Sequence, residues 1–168
     1  GGSYDEITLE RNVSDLREIA LRQRVLVDVS ERSLETDWLG RKVAMPVGLA
    51  PVGFSGMFAR RGEVQAARAA AKAGIPYCLS TLSICDVREV AKGSPSPIWF
   101  QFYVTKDRGL MAALLERAAE VTCAALVFTV DLPVTGSRYR DYHTGMSAQP
   151  GIGSALQQFW QGVTHPEW

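Results

Sequence analysis

The sequence predicts an α/β chain, the N-terminal half of a parallel (β/α)8 barrel preceded by a helix and a β-hairpin. Three observations carry that prediction. Four short apolar runs, "VAMPVGLAPVG", "IPYCLSTLS", "PIWFQFYV" and "AALVFTVDLPV", recur at near-regular intervals, and each ends in polar or small residues where a strand meets a loop. Helical segments separate the runs, so strand and helix alternate as they do when parallel strands are joined by right-handed crossovers. The runs are almost unbroken in apolar character, the pattern of strands covered on both faces.

From the N-terminus, "EITLERNVSDLREIALRQRVLVDVS" predicts a helix through Ile7 to Leu21 leading into an extended Val25 to Val29 segment. "SLETDWLGRKVAMP" predicts a hairpin with Gly40 at its turn. Helix and hairpin are expected to plug the bottom of the barrel. After the first strand, "RRGEVQAARAAAKAG" is an Ala-rich helix closed by Gly74. "CDVREVAKG" is a short helix with Asp86 and Glu89 at capping-box spacing, and "KDRGLMAALLERAAEV" sets Leu110, Met111, Leu114, Leu115 and Ala118 on one helical face. Beyond the fourth strand, "VTGSRYRDYHTGMSAQPGIGSALQQFWQG" is rich in Gly, Ser and Pro and reads as a long rim loop, the kind that carries function in barrels. The expected division is therefore helix and hairpin at 1–45, four β/α barrel strands at 46–133 and the rim loop at 134–168.

A doubly wound sheet fits the same alternation. The linker "FSGMFARRGE" after the first strand is not a compact G-x-G-x-x-G turn, however, so the dinucleotide fingerprint is missing and the TIM-type barrel is preferred. A complete barrel of this type needs about 250 residues. The chain has 168, opens on Gly1 and closes on "HPEW" without an element to finish a sheet, which leads to the expectation of a piece of a longer protein.

Composition describes an ordinary α/β domain: 46% hydrophobic, 21% charged, no formal net charge and a pI near 6.9. The short Arg60-Arg61 and Arg138/Arg140 groups are no basic stripe, which disfavours nucleic acid as a partner. Cys78, Cys85 and Cys123 lack metal-ligand or redox spacing and read as small apolar core residues in a reducing compartment. Apolar runs stay under about ten residues where a span takes about twenty, so a cytoplasmic location is expected, with peripheral attachment to a membrane left open.

Chemistry is expected where strands end. Ser80 and Thr81, Gln101 and Tyr103, and Thr129 and Asp131 close three successive runs, with Arg138 a short loop later. Residues two apart on a strand share a face, so Gln101 with Tyr103 and Thr129 with Asp131 converge from adjacent strands. Neutral amide, hydroxyl and phenol groups suit a flat heterocycle with alternating donors and acceptors along its edge. An arginine suits a carboxylate, which it grips with two parallel hydrogen bonds. On position alone, Arg138 also reads as a solvated loop arginine and Asp131 as a loop cap. No phosphate cradle or metal cluster accompanies these residues.

The segments "PVGLAPVG", "LSTLS", "WFQFYV", "KDR", "VFTVDLPVTGSRYRD" and "HTGM", with "VTHPEW" at the end, resemble the FMN-dependent L-2-hydroxy acid dehydrogenase family over essentially the whole chain. Within the family the resemblance is to its bacterial quinone-linked, L-lactate-oxidising members. It implies FMN as cofactor, with Pro51, Val52 and Gly53 offering backbone contacts to the central flavin ring and Ser80, Gln101 and Thr129 bonding its heterocyclic edge. Tyr103 and Arg138 would hold the substrate, and Asp131 would orient a catalytic histidine. That histidine, a second arginine, a lysine and the phosphate loops belong to the family's second half-barrel. His143 and His165 fall in the loop region and are not assigned as the base.

The implied reaction is oxidation of an L-2-hydroxy acid to the 2-oxo acid, with electrons passed to quinone or the respiratory chain and a homo-oligomer as the full-length form. Gly53 stands where the family's oxidases often carry Ala. Alternatives are an oxidase that makes hydrogen peroxide, a mandelate dehydrogenase, and a non-catalytic half-barrel.

Overall fold

The computed structural model describes residues 2–131, 134 and 136–143. His165, the closing "HPEW" and most of the expected rim loop lie outside the described residues. Two compact units are present: residues 32–132, and a second in which the N-terminal segment packs with the segment around residues 136–143.

In that second unit, α1 spans Ile7–Glu18. It stops short of the expected Leu21 because Ile19 turns to an extended conformation, and no residue of the helix is buried. The Tyr4 amide donates to the Ser137 carbonyl at 2.6 Å, and the Tyr4 and Tyr139 rings meet edge to face with centroids 5.9 Å apart. Arg140 pairs with Glu6, which joins α1 to the short helix α5, Tyr139–His143. The extended segment expected at Val25 to Val29 forms no strand: Leu26 has φ 61° and, like Val25, Val27 and Val29, is exposed. Apolar residues without a partner strand gain nothing from the β conformation.

The larger unit opens with a hairpin of β1 (Thr36–Trp38) and β2 (Arg41–Val43), in antiparallel register with Thr36 opposite Val43 and Trp38 opposite Arg41. Its two-residue turn places Leu39 at φ 51° and Gly40 at φ 73°. Both central residues of a type I′ turn need that left-handed backbone, which is why the glycine marks the turn in the sequence.

β3 (Cys78–Leu79), β4 (Trp99–Tyr103) and β5 (Ala125–Thr129) form a parallel sheet in chain order. Leu49 makes a parallel bridge to Tyr77, with its amide donating to the Pro76 carbonyl at 2.9 Å and its carbonyl accepting from Cys78 at 3.0 Å. Four successive segments therefore lie side by side without the reversal of order that marks a doubly wound sheet, as in a sector of a barrel. The first run contributes a single bridge instead of a full strand. Pro46 and Pro51 bracket it, and neither has an amide hydrogen for the ladder.

Three helices cover one face of the sheet: α2 (Gly62–Lys72), α3 (Val87–Gly93) and α4 (Arg108–Glu120). The core between the layers holds Val64, Ala67, Ala70, Leu79, Val87, Val90, Ile98, Phe100, Phe102 and Ala118. Full burial of one such large side chain stabilises by about 1.5–3 kcal/mol. Asp107 caps α4 by accepting from the Leu110 amide at 3.0 Å, and Asp86 caps α3 by accepting from Arg88 at 2.8 Å. Glu89 does not complete the expected capping box; it pairs with Arg61. On α4, Ala118 is buried and Met111 and Leu114 pack on the core, whereas Leu110 and Leu115 are exposed, so the apolar stripe is narrower than its sequence. On the outer face of β5, Leu126 and Phe128 are likewise exposed; the expectation of strands covered on both faces fails there among the described residues.

At the N-terminal ends of the strands the hairpin packs inward. The Trp38 ring meets Trp99 edge to face at 5.2 Å, and a Cβ on Gly48 would sit 3.5 Å from the Trp38 ring. Trp38, Leu49, Pro51, Cys78, Trp99 and Val127 line a cavity of about 200 Å³ that runs from there along the inner face.

Candidate active site

Strand alternation sorts the sheet into two chemistries. Phe100 and Phe102 point into the helix-covered core, so Trp99, Gln101 and Tyr103 face the opposite, inner side. On β5 the same register sets Thr129 beside Tyr103 and Val127 beside Gln101. The inner face is aromatic and apolar toward the strands' N-terminal ends, with Trp99 and Cys78, and turns polar from the Gln101–Val127 level onward, with Ser80, Gln101, Tyr103 and Thr129. A ligand with one hydrogen-bonding edge is accommodated at the C-terminal end, where barrel sites form.

Gln101 organises that end. It is almost fully buried, and its carboxamide oxygen accepts from the Thr81 amide at 3.1 Å while its nitrogen donates to Thr129 Oγ1 at 2.8 Å. The Thr81 hydroxyl in turn donates to the Gln101 carbonyl. These bonds fix the amide's orientation across three strands, and they leave one amide hydrogen of Gln101 and the Thr129 hydroxyl hydrogen available to a ligand. Ser80 is buried beside them, its Oγ accepting from the Leu82 amide at 3.1 Å.

Pro51, Val52 and Gly53 follow the Leu49 bridge and run alongside the β3–α3 loop. A Cβ on Gly53 would lie 3.5 Å from Leu82 Cβ and 4.0 Å from Ser80 Oγ, so this backbone borders the Ser80 hydroxyl. The Val52 carbonyl accepts from Ser55 Oγ at 3.1 Å, and the Phe54 amide donates to the Leu82 carbonyl at 2.8 Å. Six of the predicted positions, Pro51, Val52, Gly53, Ser80, Gln101 and Thr129, thus gather at one end of the sheet. Tyr103 stands half-buried at the end of β4, and Asp131 is exposed two residues past Thr129. Arg138 belongs to the other unit, where its guanidinium lies 3.8 Å from Asp141.

Sequence reading missed Glu63. It stands in the first turn of α2, where an acidic residue ordinarily reads as a solvated partner of the helix dipole. Here it is completely buried: Oε1 accepts from the Gly56 amide at 2.9 Å and the Ile84 amide at 3.0 Å, and Oε2 is buried without a hydrogen-bond partner among the described residues. Burial pushes its carboxyl up, but the Ile84, Gly56 and Glu63 amides and the Cys85 side chain more than offset that and hold it below the ordinary carboxylate value. The available signal was the pair of glycines around it. A Cβ on Gly56 would come within 3.0 Å of Oε2, and one on Gly62 within 2.7 Å of the Ser55 carbonyl. The three cysteines are free; Cys78 and Cys85 are buried, and burial lifts the Cys78 thiol to about 11. Among the described residues no group of side chains is arranged to hold a metal ion, and no helix is long and apolar enough to cross a membrane.

Comparison with known proteins places this geometry. All 168 residues match the family described as FMN-dependent dehydrogenase. Over its full length the chain is 57% identical to an L-lactate dehydrogenase of Vibrio parahaemolyticus, covering 44% of that protein, and 60% identical to one of Chromohalobacter salexigens, covering 42%. It therefore spans less than half the length of these relatives. Among solved structures, a soluble mutant of the membrane-associated (S)-mandelate dehydrogenase from Pseudomonas putida superposes with a TM-score of 0.83 at 35% identity, over 90% of this chain and 43% of that one. A mandelate oxidase variant holding a C4a-OH-FMN adduct matches with a TM-score of 0.81 at 38% identity, over 89% of this chain and 45% of that one.

Proposed function

Because the chain belongs to the FMN-dependent dehydrogenase family, we propose that it is the N-terminal half-barrel of a longer enzyme that oxidises an L-2-hydroxy acid, L-lactate to pyruvate, using FMN. The observation that carries this reading is the Gln101 carboxamide, buried and oriented between Thr81 and Thr129 beside Ser80 at the C-terminal ends of parallel strands. The donor set suits FMN. Ser80, Gln101 and Thr129 are neutral, lie on three neighbouring strands, and match an edge of alternating donors and acceptors without placing a charge against it. Pro51, Val52 and Gly53 supply backbone contacts from the side.

When bound, FMN supplies a two-electron acceptor that no side chain provides. The chain's own residues bind and orient. Tyr103 directs its phenol at the reacting hydroxyl or carboxylate, and Arg138 grips the carboxylate with its planar fork. Asp131 orients the histidine that takes the hydroxyl proton, a residue assigned to the second half-barrel and not to His143 or His165. On this reading 1–45 is the helix and hairpin, 46–133 the four barrel strands, and 134–168 the rim loop that brings Arg138 to the substrate. Electrons leave to quinone or another respiratory carrier, the location is the cytoplasm or the cytoplasmic face of the inner membrane, and the full-length form is a homo-oligomer. Relatives bearing the name L-lactate dehydrogenase support the substrate.

The test is turnover of L-lactate by the longer protein with a quinone acceptor, alongside a peroxide assay under oxygen. Quinone reduction without stoichiometric peroxide supports the reading; peroxide formation instead makes the enzyme an oxidase. The 168-residue chain alone is expected to show no turnover, since the family resemblance assigns the base to the second half-barrel.

Arg138→Lys in the longer protein keeps the charge and loses the fork. We expect KM for L-lactate to rise by about tenfold, the equivalent of about 1.4 kcal/mol, with FMN affinity little changed. Equal loss of FMN binding would count against the assignment of Arg138.

A further inference from the structure

Resting on the reading above, we propose that Glu63 is the positioning residue for the flavin-binding backbone at Pro51, Val52 and Gly53, acting as a buried carboxylate clamp between the two loops that border the cofactor edge.

The first of these loops runs from Pro51 to Met57 and ends in a short 3-10 turn, Ser55–Met57. Phe54 within it sits at φ 56°, and Arg61 at the N-cap of α2 at φ 52°, a backbone region that residues with side chains adopt uncommonly. The surroundings are specific. Glu63 Oε1 takes the Gly56 amide from this loop and the Ile84 amide from the β3–α3 loop, so one oxygen ties together two segments that are 28 residues apart in sequence at these positions, roughly eight turns' worth of chain. Phe54 donates to the Leu82 carbonyl between the two tie points, and Leu82 donates to Ser80. The route from Glu63 to the proposed flavin contacts is therefore short in both directions: three residues from Gly56 to Gly53, and four from Ile84 to Ser80.

Close packing makes the clamp exclusive to these residues. Gly56 and Gly62 leave no room for a Cβ, at 2.8 Å from Ile84 Cβ and 2.7 Å from the Ser55 carbonyl. That is how the loop approaches the start of α2 closely enough for Glu63 to reach it. Removing the charge weakens both bonds at once, because hydrogen bonds to an ionised acceptor are roughly twice as strong as neutral ones. An ordinary core residue at this position would hold the helix but leave two buried amides unpaired.

The experiment compares the 168-residue chain with Glu63→Gln and with Ile98→Ala. Ile98 is buried at the opposite, N-terminal end of β4, so its truncation lowers stability without touching either loop. Two readouts are taken: amide hydrogen exchange at Phe54, Gly56 and Ile84, and FMN titration followed by the visible flavin spectrum. For Glu63→Gln we expect lost protection at those three amides with β4 amides unchanged, and FMN affinity down by about tenfold. For Ile98→Ala we expect a lower Tm and FMN affinity like the parent's.

Parent-like exchange at Gly56 and Ile84 in Glu63→Gln overturns the clamp, as does unchanged FMN affinity despite lost protection. If the parent chain binds no FMN, the reading of this half-barrel as a flavin site by itself fails, and the exchange data alone decide the clamp. Should Glu63→Gln not fold, Glu63→Asp keeps the charge but retracts it by one methylene. It is expected to give the same pattern, and parent-like exchange there overturns the proposal.

Discussion

A carboxylate sealed from water is tolerated only where donors replace its hydration, and Glu63 has two backbone amides on one oxygen. Its folded value lies below the ordinary 4.5, so its contribution to stability is complete above that value and is lost as pH falls through the lower folded one. Glu63→Gln should therefore flatten the acid limb of a stability–pH curve measured by denaturant unfolding; an unchanged limb would contradict the role of these hydrogen bonds. Cys78 has the opposite sign. Burial raises its thiol from 9.0 to about 11, so the folded state favours the protonated form, and that contribution is complete below 9.0 and disappears as pH climbs through about 11. A thiol-reactive probe at pH near 8 should label Cys78 only as fast as the chain unfolds, and rapid labelling would show that the β3 core is open. The gathering of Ser80, Gln101 and Thr129 at one end of the sheet was legible because amides and hydroxyls interrupt apolar strands at these positions. Glu63 was not legible, since a first-turn acid looks the same whether the neighbouring loop covers it or not.

Elements whose ends carry their own chemistry were read correctly, and those that depend on distant partners were not. Asp86 caps its helix as its spacing implies, and Gly40 turns the hairpin. Glu89 was drawn away by Arg61, α1 ended where Ile19 turns extended, and the first barrel run, bracketed by prolines without amide hydrogens, shrank to the Leu49 bridge. Gly74 shows what a terminal glycine does here. It closes α2 at φ 69°, its carbonyl accepts from the Ala44 amide at 2.9 Å, and a Cβ would meet Ala44 Cβ at 2.9 Å. Gly74→Ala combines left-handed strain with that clash and is expected to cost more than about 1 kcal/mol in chemical denaturation. A neutral result would mean that the hairpin and α2 are less tightly joined than their hydrogen bond indicates.

At the scale of the whole molecule, the parallel order of the Leu49 segment, β3, β4 and β5 forms one sector of a barrel, with the Trp38 hairpin beneath it and polar groups at the opposite end. Alternation of strands and helices made this architecture readable. Placement of Arg138 was beyond the sequence, because a loop arginine carries no periodicity; in the structure its guanidinium lies 3.8 Å from Asp141, three residues on. Flavin binding at the Gln101 edge is decided by titrating FMN into the purified chain and into its Gln101→Leu variant, following flavin fluorescence and the visible spectrum. We expect saturable binding by the parent that Gln101→Leu abolishes while the fold persists; equal binding by variant and parent would overturn the assignment of this edge to FMN.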